Sequence, residues 1–135
     1  MTFSSNPELK KRGDEIFKEL YGGSIADKMH EEYAKKSPDF HQMSVEWCQG
    51  GLIGRPGLDL KSRELVILAA CVIDGRVQDA VVAHAYACIR AGANKREVYE
   101  TILMLIWYAG AAPVSIALST LQEFFDDDDG SMKGA

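Results

Sequence analysis

The chain has 135 residues, of which 47% are hydrophobic and 26% charged, and its formal net charge is −5. This length suits one compact domain with a real hydrophobic core, and the composition is that of an ordinary globular protein. The negative charge argues against general binding to nucleic acid or to anionic membranes, because both need a basic surface. It is compatible with a small anionic ligand held by one or two arginines.

The amino-terminal run MTFSSNPELKKRGDEIF lacks the apolar segment and cleavage site of a signal peptide. No segment approaches the roughly 18 consecutive apolar residues that span a membrane. The three cysteines, Cys48, Cys71 and Cys88, are widely spaced and include no CxxC pair. They are therefore predicted to be buried free thiols in a reducing compartment, and we expect a cytoplasmic protein.

Glycine and proline breakers separate helical patterns along the whole chain, and no stretch alternates like a strand. In the first half, helices are predicted over residues 6–21, 25–36 and 38–54. The third has only a loose apolar face, formed by Phe40, Met43, Val45 and Trp47.

In the second half, the run LKSRELVILAACVI (60–73) is nearly apolar all round and is predicted to be a central helix. The next helix contains VVAHAYACIRAG and is predicted to end with Gly92 at the C′ position. Asn94 and Glu97 then form an N-x-x-E arrangement typical of a capping box, which begins a helix up to residue 110. A last helix is predicted over residues 113–125.

These elements predict an all-α, single-domain bundle of about six or seven helices over residues 1–125, followed by an acidic, mobile tail over residues 126–135. The helices between residues 60 and 125 are unusually rich in apolar residues. A monomer of this size can bury only one face of each such helix, so we expect the chain to self-associate.

His84 is the main candidate for chemistry, because it lies among apolar and small residues. With Cys88 one turn later it could form a metal site, although zinc needs at least three protein ligands and no third is suitably spaced. The two could also form a Cys–His nucleophile, or His84 could exchange a proton with Glu64 of the preceding helix. The alternatives are a core histidine bonded to backbone carbonyls and a glutamate exposed beside Arg63, and the residues alone favour these.

Three further side chains could contact a substrate. Arg55 lies in a Pro-Gly turn and Arg63 precedes Glu64, so each could hold a carboxylate with two hydrogen bonds or simply form a surface ion pair. Tyr108 could present its phenol to a cavity or pack in the core. The remaining histidines, His30 and His41, lie in polar stretches and are predicted to be surface residues.

The segments GRPGLDLKSRELVILAA, VVAHAYACIRAGANKREVYETI and YAGAAPVSIAL, in this order, resemble the carboxymuconolactone decarboxylase family, which includes alkylhydroperoxidase-D-like proteins. The resemblance covers most of residues 8–125. It implies an all-α fold that forms a homo-oligomer, commonly a trimer of dimers.

The family's peroxidase branch has a CxxC pair where this chain has Val77 and Ala80, so the resemblance is greater to the decarboxylase branch. It implies a cofactor-independent lyase of aromatic-compound catabolism, which converts γ-carboxymuconolactone to the enol-lactone of 3-oxoadipate. Glu64 and His84 match the proton-relay positions of the peroxidase branch. For the lyase, our candidates are His84 as proton donor, Glu64 as the residue that orients it, and Arg55, Arg63 and Tyr108 as substrate-binding residues. The alternatives are a thiol peroxidase and a non-catalytic oligomeric binding protein.

Overall fold

The structure, a computed structural model, describes residues 4–127, and all regular secondary structure within them is helical. The prediction of an all-α fold is therefore confirmed. Nine α-helices are described, together with one π-helix over Met43–Ile53: α1 (Pro7–Tyr21), α2 (Gly23–Lys36), α3 (Pro38–Gln42), α4 (Leu60–Asp74), α5 (Gln78–Arg90), α6 (Lys95–Leu103), α7 (Ile106–Ala109), α8 (Ala111–Thr120) and α9 (Gln122–Asp126).

The chain divides into two compact units, with the boundary between Leu60 and Lys61. The single domain over residues 1–125 stays a prediction. Of the predicted tail, Asp126 is the last residue of α9 and Asp127 is its C-cap, and residues 128–135 lie outside the described part of the chain. Between residues 4 and 127, no helix is both long and apolar enough to cross a membrane.

The first unit contains α1, α2, α3 and the π-helix. Asn6 caps α1 by accepting a hydrogen bond from the Leu9 amide, and Pro7 takes the first helical position, where its missing N–H costs nothing. The segment 38–54, predicted as one helix, is instead divided at Met43. From Met43 onward the segment is a π-helix, in which each amide donates to the carbonyl five residues earlier and the turns are wider than in an α-helix. At its end, for example, Gly54 N–H donates to the Gln49 carbonyl at 2.9 Å.

Two glycines allow the backbones of α1 and the π-helix to come very close. A Cβ atom placed on Gly13 would lie 2.0 Å from the carbonyl oxygen of Val45, and one on Gly50 would lie 2.1 Å from that of Leu9. Real Cβ atoms do not approach backbone oxygens so closely, so no side chain fits at either position without separating the helices.

The second unit, α4 to α9, has its own core. Its buried hydrophobic cluster includes residues of α4, α5, α6, α8 and α9, among them Leu68, Val72, Val81, Ala85, Cys88, Val98, Ile102, Val114, Ala117 and Phe124. The predicted cap of α5 is confirmed, because Gly92 has a φ of 106° and the next amide donates to the Cys88 carbonyl at 2.9 Å. The capping box is confirmed as well, since Asn94 and Glu97 each accept a hydrogen bond from the other's amide.

Two predicted helices of this unit are each divided into shorter ones. The helix expected to run to residue 110 stops at Leu103, and α7 begins only at Ile106. Across this break the amides of Leu105 and Tyr108 donate to carbonyls three residues earlier, so the backbone forms tighter turns there than in an α-helix. The last helix is divided at Leu121, where α8 and α9 meet.

Candidate functional site

Glu64 is the fifth residue of α4 and one of the most deeply buried side chains of the second unit. It lies on the helix face that also carries Leu68 and Val72, four and eight residues later, and that face is buried. Only 1% of its surface is exposed. The alternative of a solvent-exposed glutamate is therefore wrong, and a buried carboxylate needs a polar partner.

That partner is His84 of α5. Its Nδ1 lies 2.7 Å from Glu64 Oε2, which is a short, strong hydrogen bond, and 18% of the His84 side chain remains exposed. The contact fixes the orientation of the imidazole ring and holds one proton between the two groups. Because Nδ1 is used in this contact, Nε2 is the ring atom through which His84 would exchange a proton with a substrate.

The thiols near this pair are held in the protonated form. Burial, assisted by the negative charge of Glu64, raises the pKa of Cys88 to about 12. Burial also raises the pKa of Cys71, with smaller contributions from Asp74 and Glu64. A thiol reacts as a nucleophile only when it is ionised, so neither cysteine is prepared for thiolate chemistry.

The raised pKa of Cys88 predicts slow alkylation in the native chain. Between pH 7 and 8, iodoacetamide should label Cys88 about 10³-fold more slowly than an ordinary cysteine, because so little thiolate is present. Mass spectrometry of the peptide that contains Cys88 measures the rate, and the same peptide labelled in urea is the control. Equal rates in the native and the urea-unfolded chain would contradict the burial and the pKa shift.

The other predicted site residues lie as follows. Arg63 is the residue before Glu64 in α4 and is partly buried. Tyr108 lies in the short helix α7 and is 79% exposed. Arg55 belongs to the first unit, in the turn after the π-helix, and is exposed. Their roles in substrate binding stay predictions.

Sequence reasoning did not single out Glu46, a buried carboxylate of the first unit. It accepts hydrogen bonds from Ser5 Oγ at 2.7 Å, the Asn6 amide at 3.2 Å and Gln42 Nε2 at 3.1 Å. Burial by itself would raise the pKa of Glu46. The hydrogen bonds lower the pKa by more than burial raises it, so it lies below the ordinary value of a glutamate. Glu46 thereby ties the start of the chain to the π-helix, beside a cavity of about 470 Å³ lined also by Trp47.

The same unit corrects the prediction that His30 and His41 are surface residues. Both are partly buried, and their rings are hydrogen-bonded to each other. Gln42 is a local partner, four residues before Glu46. The other contacts join residues 40 or 41 positions apart at Glu46 and 11 positions apart in the histidine pair, so they form through tertiary packing, which the sequence pattern does not show. Among residues 4–127, no three His, Cys, Asp or Glu side chains are grouped so that they could hold a metal ion.

Comparison with known proteins places this chain in a family. Residues 38–123 match the model of the carboxymuconolactone decarboxylase family. The chain is similar to 4-carboxymuconolactone decarboxylase of Acinetobacter baylyi (strain ATCC 33305 / BD413 / ADP1), with 31% identity over 87% of each chain. It is also similar to nitrosuccinic acid decarboxylase npaB of Metarhizium robertsii (strain ARSEF 23 / ATCC MYA-3075), with 25% identity over 96% of this chain and 94% of that protein. The protein therefore belongs to the carboxymuconolactone decarboxylase family, as the resemblance of its motifs predicted.

Proposed function

We propose that the protein is a cofactor-independent carboxy-lyase that acts on a small carboxylated lactone, with γ-carboxymuconolactone as the first candidate. The observation that carries this proposal is the hydrogen bond between the buried Glu64 carboxylate and His84 Nδ1. Two similar proteins are named as decarboxylases, of 4-carboxymuconolactone and of nitrosuccinic acid, which supports a reaction that releases carbon dioxide.

In the proposed reaction, the bond between the substrate's carboxylate and its ring carbon breaks, and carbon dioxide leaves. The electron pair that remains is delocalised through the ring double bond onto the lactone carbonyl oxygen, which gives a dienolate. His84, protonated at Nε2, then donates this proton to the dienolate carbon and completes the enol-lactone. Glu64 stabilises the imidazolium and keeps the ring aimed at the substrate, which is the ordinary task of a carboxylate paired with a catalytic histidine.

The substrate is an anion, so the site needs cationic groups to bind it. We assign this role to Arg63, the residue before Glu64, since a guanidinium holds a carboxylate with two parallel hydrogen bonds. Arg55 of the first unit stays a candidate from the sequence alone. Tyr108 would add a phenol donor toward the lactone oxygen.

The exposure of the Tyr108 side chain, and that of the neighbouring Trp107 at 87%, support a homo-oligomer in which these rings are covered. We propose a trimer of dimers in the cytoplasm.

A thiol peroxidase is the rival enzyme, and two observations weigh against it. Val77 and Ala80 occupy the positions at which that branch of the family carries its redox cysteines. The pKa of Cys88, about 12, leaves almost no thiolate to attack a peroxide. A non-catalytic binding protein is the rival from another class, and a turnover measurement distinguishes it from the lyase.

The direct test is to incubate the purified protein with γ-carboxymuconolactone and to measure both the loss of ultraviolet absorbance and the carbon dioxide released. We expect stoichiometric release without any added cofactor. Nitrosuccinate is the second substrate to try, because a similar protein is named for it. A third assay tests the rival thiol peroxidase: the protein is treated with peroxide, and its free thiols are then titrated. A folded protein that binds the lactone but releases no carbon dioxide from either acid would refute the lyase and favour the binding protein.

A further inference from the structure

The first unit contains two histidines whose rings are bonded to each other and which the proposed reaction does not use. His30 of α2 and His41 of α3 approach with 2.8 Å between His30 Nδ1 and His41 Nε2. The rings meet edge to face, with their centroids 5.1 Å apart. This contact joins two consecutive helices through their side chains, close to the point where α3 continues into the π-helix.

The surroundings of the pair contain charges from two further elements. From α1, Asp14 Oδ1 lies 3.7 Å from His30 Nε2, and Lys10 donates to the other oxygen of Asp14 at 2.9 Å. The ring of Phe17 lies 4.7 Å from the His30 ring and limits its movement. From the π-helix, Glu46 lines the same cavity of about 390 Å³ as the two histidines. The carboxylates of Asp14 and Glu46 therefore favour one positively charged imidazole ring in this pair.

The hydrogen bond sets a limit on how many protons the pair can carry. One of the two facing nitrogens must carry a hydrogen, and the other must offer its lone pair. A single added proton fits, because the His30 imidazolium can direct one N–H toward Asp14 and the other toward His41. A second added proton puts a hydrogen on both facing nitrogens, so two positively charged rings would meet with N–H against N–H at 2.8 Å. The contact cannot survive this.

We propose that His30 and His41 form a single-proton latch between α2 and α3, which opens when a second proton binds and thereby loosens the first unit of the chain. The latch uses none of the residues of the proposed proton transfer, because Glu64 and His84 belong to the second unit. The stability of the contact between α2 and α3 is therefore expected to depend on pH in the range in which histidine titrates.

The direction of the pH dependence follows from His41. Burial, followed by the neighbouring His30, lowers the pKa of His41, while Asp14 acts in the opposite direction and Lys10 adds a small further lowering. In the unfolded chain a histidine titrates near its ordinary pKa of about 6.5. As the pH falls below this value, His41 binds a proton in the unfolded chain but not yet in the folded chain, where its pKa is lower. Unfolding therefore becomes more favourable. The first unit is thus stable above about pH 6.5 and loses stability as the pH falls toward the lowered pKa.

The test measures urea unfolding of the full chain between pH 8 and pH 5.5 by the fluorescence of Trp47, in a background in which the exposed Trp107 is replaced by phenylalanine. We expect the unfolding constant to rise by up to about tenfold per pH unit below pH 6.5, the limit for one proton. His41→Gln places an amide group where Nε2 lay, and this group cannot become charged. The unfolding constant of this variant should therefore change much less with pH than that of the wild type. Glu31→Gln, an exposed neighbour of His30, is the matched control and should keep the wild-type slope.

A second measurement needs no variant. In the wild-type chain, NMR titration of the His41 ring signals should show two steps, because this ring senses the proton that its neighbour takes up as well as its own. A single-step titration of the His41 ring would overturn the latch, even if His41→Gln failed to fold. An unchanged acid slope in a folded His41→Gln chain would overturn it as well.

Discussion

Replacing His84 with alanine is expected to lower kcat for decarboxylation of the lactone by about 10²–10⁴-fold, the usual contribution of a positioned proton donor. Alanine removes the only group that the proposed mechanism uses to protonate the dienolate carbon. Alanine also leaves the buried Glu64 carboxylate without the histidine that bonds to it, so we expect a loss of stability, and circular dichroism checks that the helical fold is kept. The measurement is kcat and KM under saturating lactone.

Glu64→Gln tests the other half of the pair, and we expect a comparable loss of kcat. Glutamine has nearly the same shape and can still bond to Nδ1, but it carries no charge to stabilise the imidazolium. The pH profile of kcat should therefore change in shape as well as in height. Glu123→Gln makes the same chemical change at an exposed position of α9 and should leave kcat unaltered. Wild-type turnover in both His84→Ala and Glu64→Gln would refute the assignment of the pair.

The second large effect is expected for Gly13→Ala, which should lower the free energy of unfolding by about 3 kcal/mol, the upper part of the range for an overpacked contact. The added methyl group would lie 2.0 Å from the carbonyl oxygen of Val45. This oxygen belongs to the backbone, so it cannot move aside as the end of a flexible side chain would. Relief requires α1 and the π-helix to separate along their contact.

Gly23→Ala is the matched control, because it makes the same change at the start of α2, where nothing lies within 4 Å of an added Cβ. Alanine is the better helix former, so this variant should equal or exceed wild-type stability by up to about 1 kcal/mol. Urea denaturation curves of the two variants and the wild type give the comparison. Equal stability of Gly13→Ala and Gly23→Ala would show that the close backbone contact does not exist in solution.

The local features of the second unit were predictable because their signals lie within a few residues. Gly92 had to take a positive φ at the end of α5, and Asn94 with Glu97 had the spacing of a capping box. The proximity of Glu64 and His84 is different in kind. Neither spacing nor periodicity brings two residues of separate helices together. The residues alone therefore offered the pair only as one alternative, and the resemblance to a family favoured it.

The features that were missed depend on tertiary contacts or on helix geometry that sequence periodicity does not resolve. His30 and His41 lie among charged residues, so the pattern predicted surface positions, whereas α1 supplies Asp14 and Phe17 to surround them. The π-helix had only a faint signal in the loose apolar face of the predicted third helix. Phe40, Met43 and Trp47 recur at the spacing of an α-helix and only Val45 departs from it, so the pattern predicted an α-helix, whereas the structure shows a π-helix there.

The close contact between α1 and the π-helix links the number of residues in this segment to the way in which the segment is wound. Leu9 and Gly13 are four residues apart in α1, and their partners Gly50 and Val45 are five residues apart in the π-helix. Residues five apart on an ordinary α-helix point in directions that differ by about 140°, so both could not contact the same neighbour. A chain that carried one residue fewer between Val45 and Gly50 could wind as an α-helix and still keep both contacts. The winding of this segment and its number of residues are therefore linked: with five residues from Val45 to Gly50, the wider winding of the π-helix is needed to turn both toward α1.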